Sequence, residues 1–141
     1  MFKNTPITSY TSIFIRLSGM RITQEYEILP KDAGAEISDY WMRYVSGGGM
    51  ERELQRRVYC PESQLLELLN QYRIWKWDGF HGKHPRGVLD GEMFSFRAVI
   101  NDGETIHADG SANFPKNFRE FQRAIDQLLS EADEKTTGHQ E

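Results

Sequence analysis

The strongest constraint on the fold lies between positions 93 and 108, where apolar residues alternate with their neighbours. A period of two is typical of a half-buried β-strand. The residues on one side of the first strand are Phe94, Phe96, Ala98 and Ile100. Residues 101–103, Asn-Asp-Gly, tolerate the positive φ of a tight turn, and residues 105–108 return with Ile106 on the apolar side. This segment therefore predicts a β-hairpin.

Two other segments repeat apolar residues at steps of three and four, which indicates amphipathic helices. The first begins near Pro61, and the second begins after Asn117, which with Glu120 predicts a capping box. The stripe of the first consists of Leu65, Leu68, Leu69 and Tyr72. The stripe of the second consists of Phe118, Phe121, Ala124, Ile125, Leu128, Leu129 and Ala132. Both stripes are expected to face the core.

The first sixty residues predict four more strands, joined by short turns. Alternation covers 7–17, 22–28, 37–45 and 51–59, and Pro30 is expected to end the second of them. The predicted order is ββββαββα. Short turns favour antiparallel pairing, so we predict an α+β fold, a two-layer sandwich. In it an antiparallel sheet of about six strands carries both helices on one face.

Length and charge limit the classes of protein. The chain has 141 residues and a net charge of −4, of which residues 131–141 contribute −3. We predict one domain over 1–132 and a disordered acidic tail over 133–141. The near-neutral body argues against nucleic acid as a partner. No apolar run reaches the ~20 residues that a bilayer requires, and no secretory signal is evident, so a cytoplasmic protein is expected. The one cysteine, Cys60, is expected to be buried.

The segment 75–92 is the predicted working surface, because a loop of this length is often functional. Its aromatic and basic residues predict a binding surface made of Trp75, Trp77, Phe80, Lys83 and Arg86. The outward aromatics Tyr26, Tyr40 and Tyr44 are expected to extend it. The alternative interpretation, which we favour for Trp75, Trp77 and Phe80, is a hydrophobic plug between sheet and helix.

The same loop contains the candidates for chemistry, which are Asp78, His81, His84 and Asp90. Two histidines three apart with a carboxylate can bind zinc, and paired carboxylates can act as acid and base. Gly82 and Pro85 exclude a helix here, however, so the histidines lack a fixed common face. Asp followed by Gly is also a common turn, in which Asp bonds the backbone. We therefore predict no metal site and no cofactor.

Four short motifs in this half of the chain can be compared with known sequences. They are Trp77-Asp78-Gly79-Phe80, Leu89-Asp90-Gly91, Asp102-Gly103, and the stretch from Gly110 to Asn117 with Pro115. This W-x-G-F, L-D-G, D-G, G-x-x-x-x-P-x-N pattern resembles a group of small uncharacterised bacterial proteins, over roughly residues 64–129. The resemblance implies a bacterial single-domain protein and no particular activity.

The sequence as a whole predicts a small binding or interaction module without catalytic activity. Exposed edge strands allow two copies to pair, so a homodimer or a protein partner is expected. The alternative is a small hydrolase-like enzyme or a metal-binding protein that uses the 75–92 loop. Binding of single-stranded nucleic acid is disfavoured by the charge of the body.

Overall fold

The computed structural model describes residues 6–19, 22–83 and 92–139, the last of these from 132 onward by backbone alone. The strands are β1 (Tyr10–Ser18), β2 (Thr23–Lys31), β3 (Gly34–Tyr44), β4 (Met50–Pro61), β5 (His81–Gly82), β6 (Met93–Ile100) and β7 (Glu104–Ser111). The helices are α1 (Glu62–Gln71) and α2 (Phe118–His139), and a 3₁₀ turn covers Ile74–Trp77. The α+β prediction is confirmed.

The strands form one sheet of seven in the order β4-β3-β2-β1-β6-β7-β5. Every neighbouring pair is antiparallel except the last, in which His81 and Gly82 run parallel to Asp109 and Gly110. The prediction of about six strands in a purely antiparallel sheet is therefore wrong. The added strand has two residues and no alternation, so the apolar pattern gave no signal for it.

One face of the sheet forms the core with the helices. Ile13 lies opposite Ile28 on one side and Ala98 on the other, and all three are fully buried. The same buried cluster includes helix residues Leu65, Leu69, Phe118, Phe121, Ile125 and Leu129. The period-two and period-3.6 patterns of the sequence thus meet in one hydrophobic layer.

The opposite face of the sheet is polar and is ordered by ion pairs between strands. Glu25 is only 7% exposed, and it accepts from Arg16 at 3.4 Å and from Arg52 at 3.0 Å. On β4, the Arg57 Nε donates to Ser38 Oγ at 2.9 Å, and its Nη2 donates to the Tyr40 hydroxyl at 3.1 Å. Cross-strand pairs of this kind stabilise a sheet that lacks a second apolar layer.

Three local predictions differ from the structure or stay open. Pro30 does not end the ladder, because β2 continues past it and Pro30 lies opposite Ala35. Asn117 adopts a φ of 76° and donates its side-chain amide to the Tyr72 carbonyl at 3.3 Å, in place of the predicted capping box. The helix α2 extends to His139, into the tail that was predicted to be disordered. Disorder of residues 133–141 in solution stays a prediction. Neither described helix is long and apolar enough to cross a membrane.

Truncation of Phe121 tests this packing. Its side chain is fully buried, with its ring centroid 5.7 Å from that of Trp77 and 6.1 Å from that of Tyr72. We expect Phe121→Ala to lower the free energy of unfolding by about 3–5 kcal/mol, because it opens a cavity between sheet and helix. The exposed Arg123 lies two residues further along α2, and Arg123→Ala should change it by less than about 0.5 kcal/mol. Equal effects in urea denaturation would contradict the proposed core.

Candidate functional site

The two tryptophans of the 75–92 loop lie in the core. They belong to the 3₁₀ turn, and Trp75 is 9% and Trp77 2% exposed. The ring centroid of Trp77 lies 4.9 Å from that of Phe96 and 5.4 Å from that of Phe118, and its Nε1 donates to the Lys116 carbonyl at 2.8 Å. Because both rings are buried, the prediction that the tryptophans belong to the binding surface is wrong. They fit the alternative interpretation, a hydrophobic plug between sheet and helix.

Of the remaining predicted surface residues, Phe80 and Lys83 are described. Phe80 is half-buried, with its ring 6.1 Å from that of Phe94, and Lys83 is exposed. Arg86 lies outside the described residues, as do the candidates His84 and Asp90. A binding role for the surface that these residues share stays a prediction.

The Asp78-Gly79-Phe80 segment covers the outer edge of β7. Asp78 Oδ1 accepts from the His107 backbone N–H at 2.9 Å, and Gly79 N–H donates to the His107 carbonyl at 2.9 Å. The Asp109 N–H then donates to the Phe80 carbonyl at 3.1 Å. Asp78 therefore acts as a turn residue that bonds the backbone, as an Asp-Gly pair commonly does. Its carboxylate is engaged by this structural bond.

Glycine is required on both β5 and β7 because the Asn113 carbonyl and the rings of Phe80 and Phe94 pack against their backbones. A Cβ on Gly82 would lie 2.6 Å from the Asn113 carbonyl oxygen, and a Cβ on Gly110 would lie 2.7 Å from the Phe94 ring. Distances this short are not tolerated between a side chain and backbone or a packed ring. These glycines let the loop close the β7 edge, which would otherwise present unpaired backbone groups.

His81 is paired with a carboxylate that the sequence analysis did not select. Its Nδ1 makes a hydrogen bond with Asp109 Oδ1, and the two side chains are 73% and 38% exposed. A cleft of about 620 Å³ lies beside them, lined also by Ser95 and Lys83. The parallel pairing of β5 with β7 brings Asp109 opposite His81. That pairing could be foreseen only by recognising a two-residue strand.

The described residues contain no cluster of three or more His, Cys, Asp or Glu side chains that could hold a metal ion. Cys60 is buried, as predicted. Burial raises the pKa of its thiol above the usual value, which lowers the fraction of reactive thiolate. Of the four candidates for chemistry in the loop, His81 is the described one whose side chain contacts a second ionisable side chain, that of Asp109.

A buried polar network, also missed from the sequence, lies between the sheet and α2. Asp39 is 1% exposed and accepts from Arg56 Nη2 at 2.8 Å and from Gln24 Nε2 at 2.8 Å. Arg56 Nη2 also lies 3.1 Å from Asp126 Oδ1, which accepts from the Tyr26 hydroxyl at 2.7 Å. Tyr26 is 1% exposed, so its assignment as an outward aromatic is wrong. Burial, and then its bond with Asp126, raise the pKa of its hydroxyl.

Apart from the contact of Arg56 with α2, the end of the β3–β4 hairpin is exposed on both faces. Between positions 41 and 57, all of which the structure describes, no residue is buried. Large apolar side chains are nevertheless concentrated here, with Tyr44 81%, Leu54 45% and Trp41 44% exposed. Among the described residues, β4 pairs with β3 alone, so its other edge is open. This exposed ribbon includes Tyr44 of the predicted outward aromatics, and Tyr40 is half-buried at its base.

Comparisons with known proteins do not add an activity to this geometry. No protein-family model matches the chain. No curated protein matches it either. The bacterial group suggested by the sequence motifs stays a prediction.

Arg56 is expected to be the most sensitive residue of the polar network. Arg56→Met leaves the Asp39 carboxylate buried without its cation, and we expect the free energy of unfolding to fall by about 3 kcal/mol. Arg43 makes an exposed pair with Glu53 at 3.1 Å on the same hairpin, so Arg43→Met should cost less than about 1 kcal/mol. Thermal and urea unfolding measure both. Comparable losses in the two variants would show that the network is not specifically stabilising.

Proposed function

We propose that the protein is a small interaction module whose partner is a second copy of the chain, bound through the open edge of β4. The observation that carries the proposal is the exposed β3–β4 ribbon described above. Beyond Met42, where the pairing of β3 with β2 ends, this hairpin has only two strands, and a two-stranded ribbon is marginally stable when nothing covers it. A further strand on β4 would satisfy its free backbone groups and cover part of its apolar surface.

The charges along β4 favour a second copy in antiparallel orientation. Glu51 and Glu53 precede Arg56 and Arg57 along the strand. When two identical strands pair antiparallel about a two-fold axis, the first half of each lies opposite the second half of the other. The bulge in β4 places Glu51, Glu53 and Arg56 on one face of the strand and Arg57 on the other. On the first face the glutamates of one copy approach Arg56 of its partner, and such opposite-charge pairs contribute roughly 0.2–1 kcal/mol each. Glu51 is exposed and has no ion pair with any described residue, so it is available for one.

The apolar side chains at the same edge supply the contact area. Met50 and Leu54 lie on β4, and Tyr44 lies opposite Met50 on β3. Exposed aromatic and Met side chains that cluster in this way are typical of the centre of an interface. The proposed interaction surface is therefore the hairpin, and it includes Tyr44 from the set predicted by sequence. The proposal includes a cytoplasmic location and no membrane, nucleic-acid or cofactor partner.

Light scattering coupled to gel filtration tests the dimer. We expect wild type to be dimeric and Leu54→Lys to be monomeric, because a lysine at the centre of the edge strand opposes strand pairing. Met93 is similarly exposed but lies on the inner strand β6, so Met93→Lys should remain dimeric. A wild-type chain that stays monomeric up to about 1 mM would exclude a self-association stronger than about −4 kcal/mol.

A second candidate function is a hydrolase-like activity, favoured by one observation, the His81–Asp109 hydrogen bond beside the cleft. In a catalytic triad the histidine is the general base, and a carboxylate bonded to it holds it in the correct orientation. Ser95 lies opposite Asp109 in the β6–β7 register and lines the same cleft, so it is the candidate nucleophile.

Hydrolysis of p-nitrophenyl acetate separates the two candidate functions. If the protein is a hydrolase, His81→Ala should lower the rate of ester hydrolysis by about 100-fold or more, because it removes the general base. His107 is exposed on the same face of β7, so His107→Ala should keep the rate. The interaction module predicts a wild-type rate no greater than that of His81→Ala. Equal rates in all three proteins would exclude the enzyme.

A further inference from the structure

We propose that the protein has an anion site of its own, a cavity of about 490 Å³ between the 3₁₀ turn and the start of α2, which binds a small phosphate monoester. The cavity is lined by the cations Arg73, Lys76 and Lys116 and by Phe80, Phe114 and Asn117. It lies near the β7 end of the molecule, whereas the proposed dimer edge is β4 at the other end of the sheet. The inference therefore goes beyond the interaction module and does not depend on it.

No described acidic side chain compensates the charge of the cavity. Arg73, Lys76 and Lys116 are exposed, and none has an ion pair with a described carboxylate. The arginines of the sheet behave differently, since Arg52 and Arg56 each contact acidic side chains. Three unpaired cations around one cavity are notable in a chain with a net charge of −4. They suit a dianion with three acceptor oxygens better than a single carboxylate.

The backbone at Arg73 supports a role for its side chain. Arg73 directly follows the cap of α1 and adopts the left-handed conformation, with φ and ψ of 52°. Glycine takes this conformation without steric cost and is the usual residue after a helix. The Arg73 side chain makes no hydrogen bond or ion pair with the described residues. No contact with a described residue therefore accounts for an arginine at this position, and a ligand in the cavity would account for it.

Two hydrogen bonds fix the walls of the cavity before any ligand arrives. Trp77 Nε1 donates to the Lys116 carbonyl at 2.8 Å, which joins the 3₁₀ turn to the start of α2. Asn117 Nδ2 donates to the Tyr72 carbonyl at 3.3 Å, which joins that start to the end of α1. Fixed walls reduce the entropy lost on binding. The positive end of the α2 dipole adds to the field of the three cations.

The aromatic lining indicates an apolar group on the ligand. The Phe114 ring is already covered by Phe94, Phe118 and the guanidinium of Arg119, whose Cζ lies 4.0 Å from the ring centroid. Phe80 is half-buried and has one ring neighbour, Phe94, at 6.1 Å. Its free surface is therefore open to an aromatic or aliphatic substituent of a phosphate ester.

Calorimetric titration of the full chain with phenyl phosphate at low salt tests the site. We expect saturable binding that weakens at least about tenfold in the double variant Arg73→Gly/Lys76→Ala, because two charge-assisted contacts are lost. The melting temperature of this variant should be unchanged or higher, since glycine suits the backbone at position 73. The matched control, Arg97→Ala/Arg123→Ala, removes the same charge at exposed, unpaired cations outside the cavity and should bind as wild type does.

Two further measurements separate the contribution of the phosphate group from that of the apolar substituent. Inorganic phosphate should bind more weakly than phenyl phosphate, and Phe80→Ala should remove that difference while leaving phosphate binding intact. Equal weakening in both double variants would mean general electrostatic attraction and would overturn the site. Absence of phenyl phosphate binding to a folded wild-type chain would overturn it as well. Neither result would bear on dimer formation through β4, which light scattering measures independently.

Discussion

The packing of one indole ring connects the three parts of this fold. Trp77 lies between Phe96 of the sheet and Phe118 and Phe121 of α2, and its Nε1 donates to the Lys116 carbonyl. The ring thereby fixes the loop after α1, the start of α2 and the distance from helix to sheet. Both the backbone cover on β7 and the cation-lined cavity depend on these positions, since each begins within a few residues of Trp77.

The two edges of the sheet differ in whether a further segment of the chain covers them. At one end the loop segment from Asp78 to Gly82 hydrogen-bonds to β7 and occupies its outer edge. At the other end β4 has no further neighbour among the described residues. Since the chain covers one edge with its own backbone, the open edge with its exposed Tyr44 and Leu54 is the better candidate for a partner.

The regular part of the fold was predictable because its signals are local. Alternation in 93–108 and the apolar stripe from Phe118 depend only on which residues a strand or helix buries, and both agree with the structure. The short β5 was not predictable, because a two-residue strand has no period. Tyr26 was misassigned for a related reason: its partners, Asp39 and Asp126, are distant in sequence and meet only in the folded chain. Among the site residues, His81 was selected but its partner Asp109 was not, since that pairing requires β5.

The network around Arg56 also has a dynamic consequence. Arg56 belongs to the outermost strand, yet it bonds Asp39 on β3 and Asp126 in the middle of α2. The base of the exposed ribbon is thus held to the helical layer by charged hydrogen bonds, in addition to its backbone pairing with β3. Amide protons near Arg56 that bond to β3 should consequently exchange with solvent only when α2 also moves away, while those nearer the ribbon tip exchange through local fraying. An edge segment that would ordinarily open independently is thus coupled to the cooperative opening of the helix.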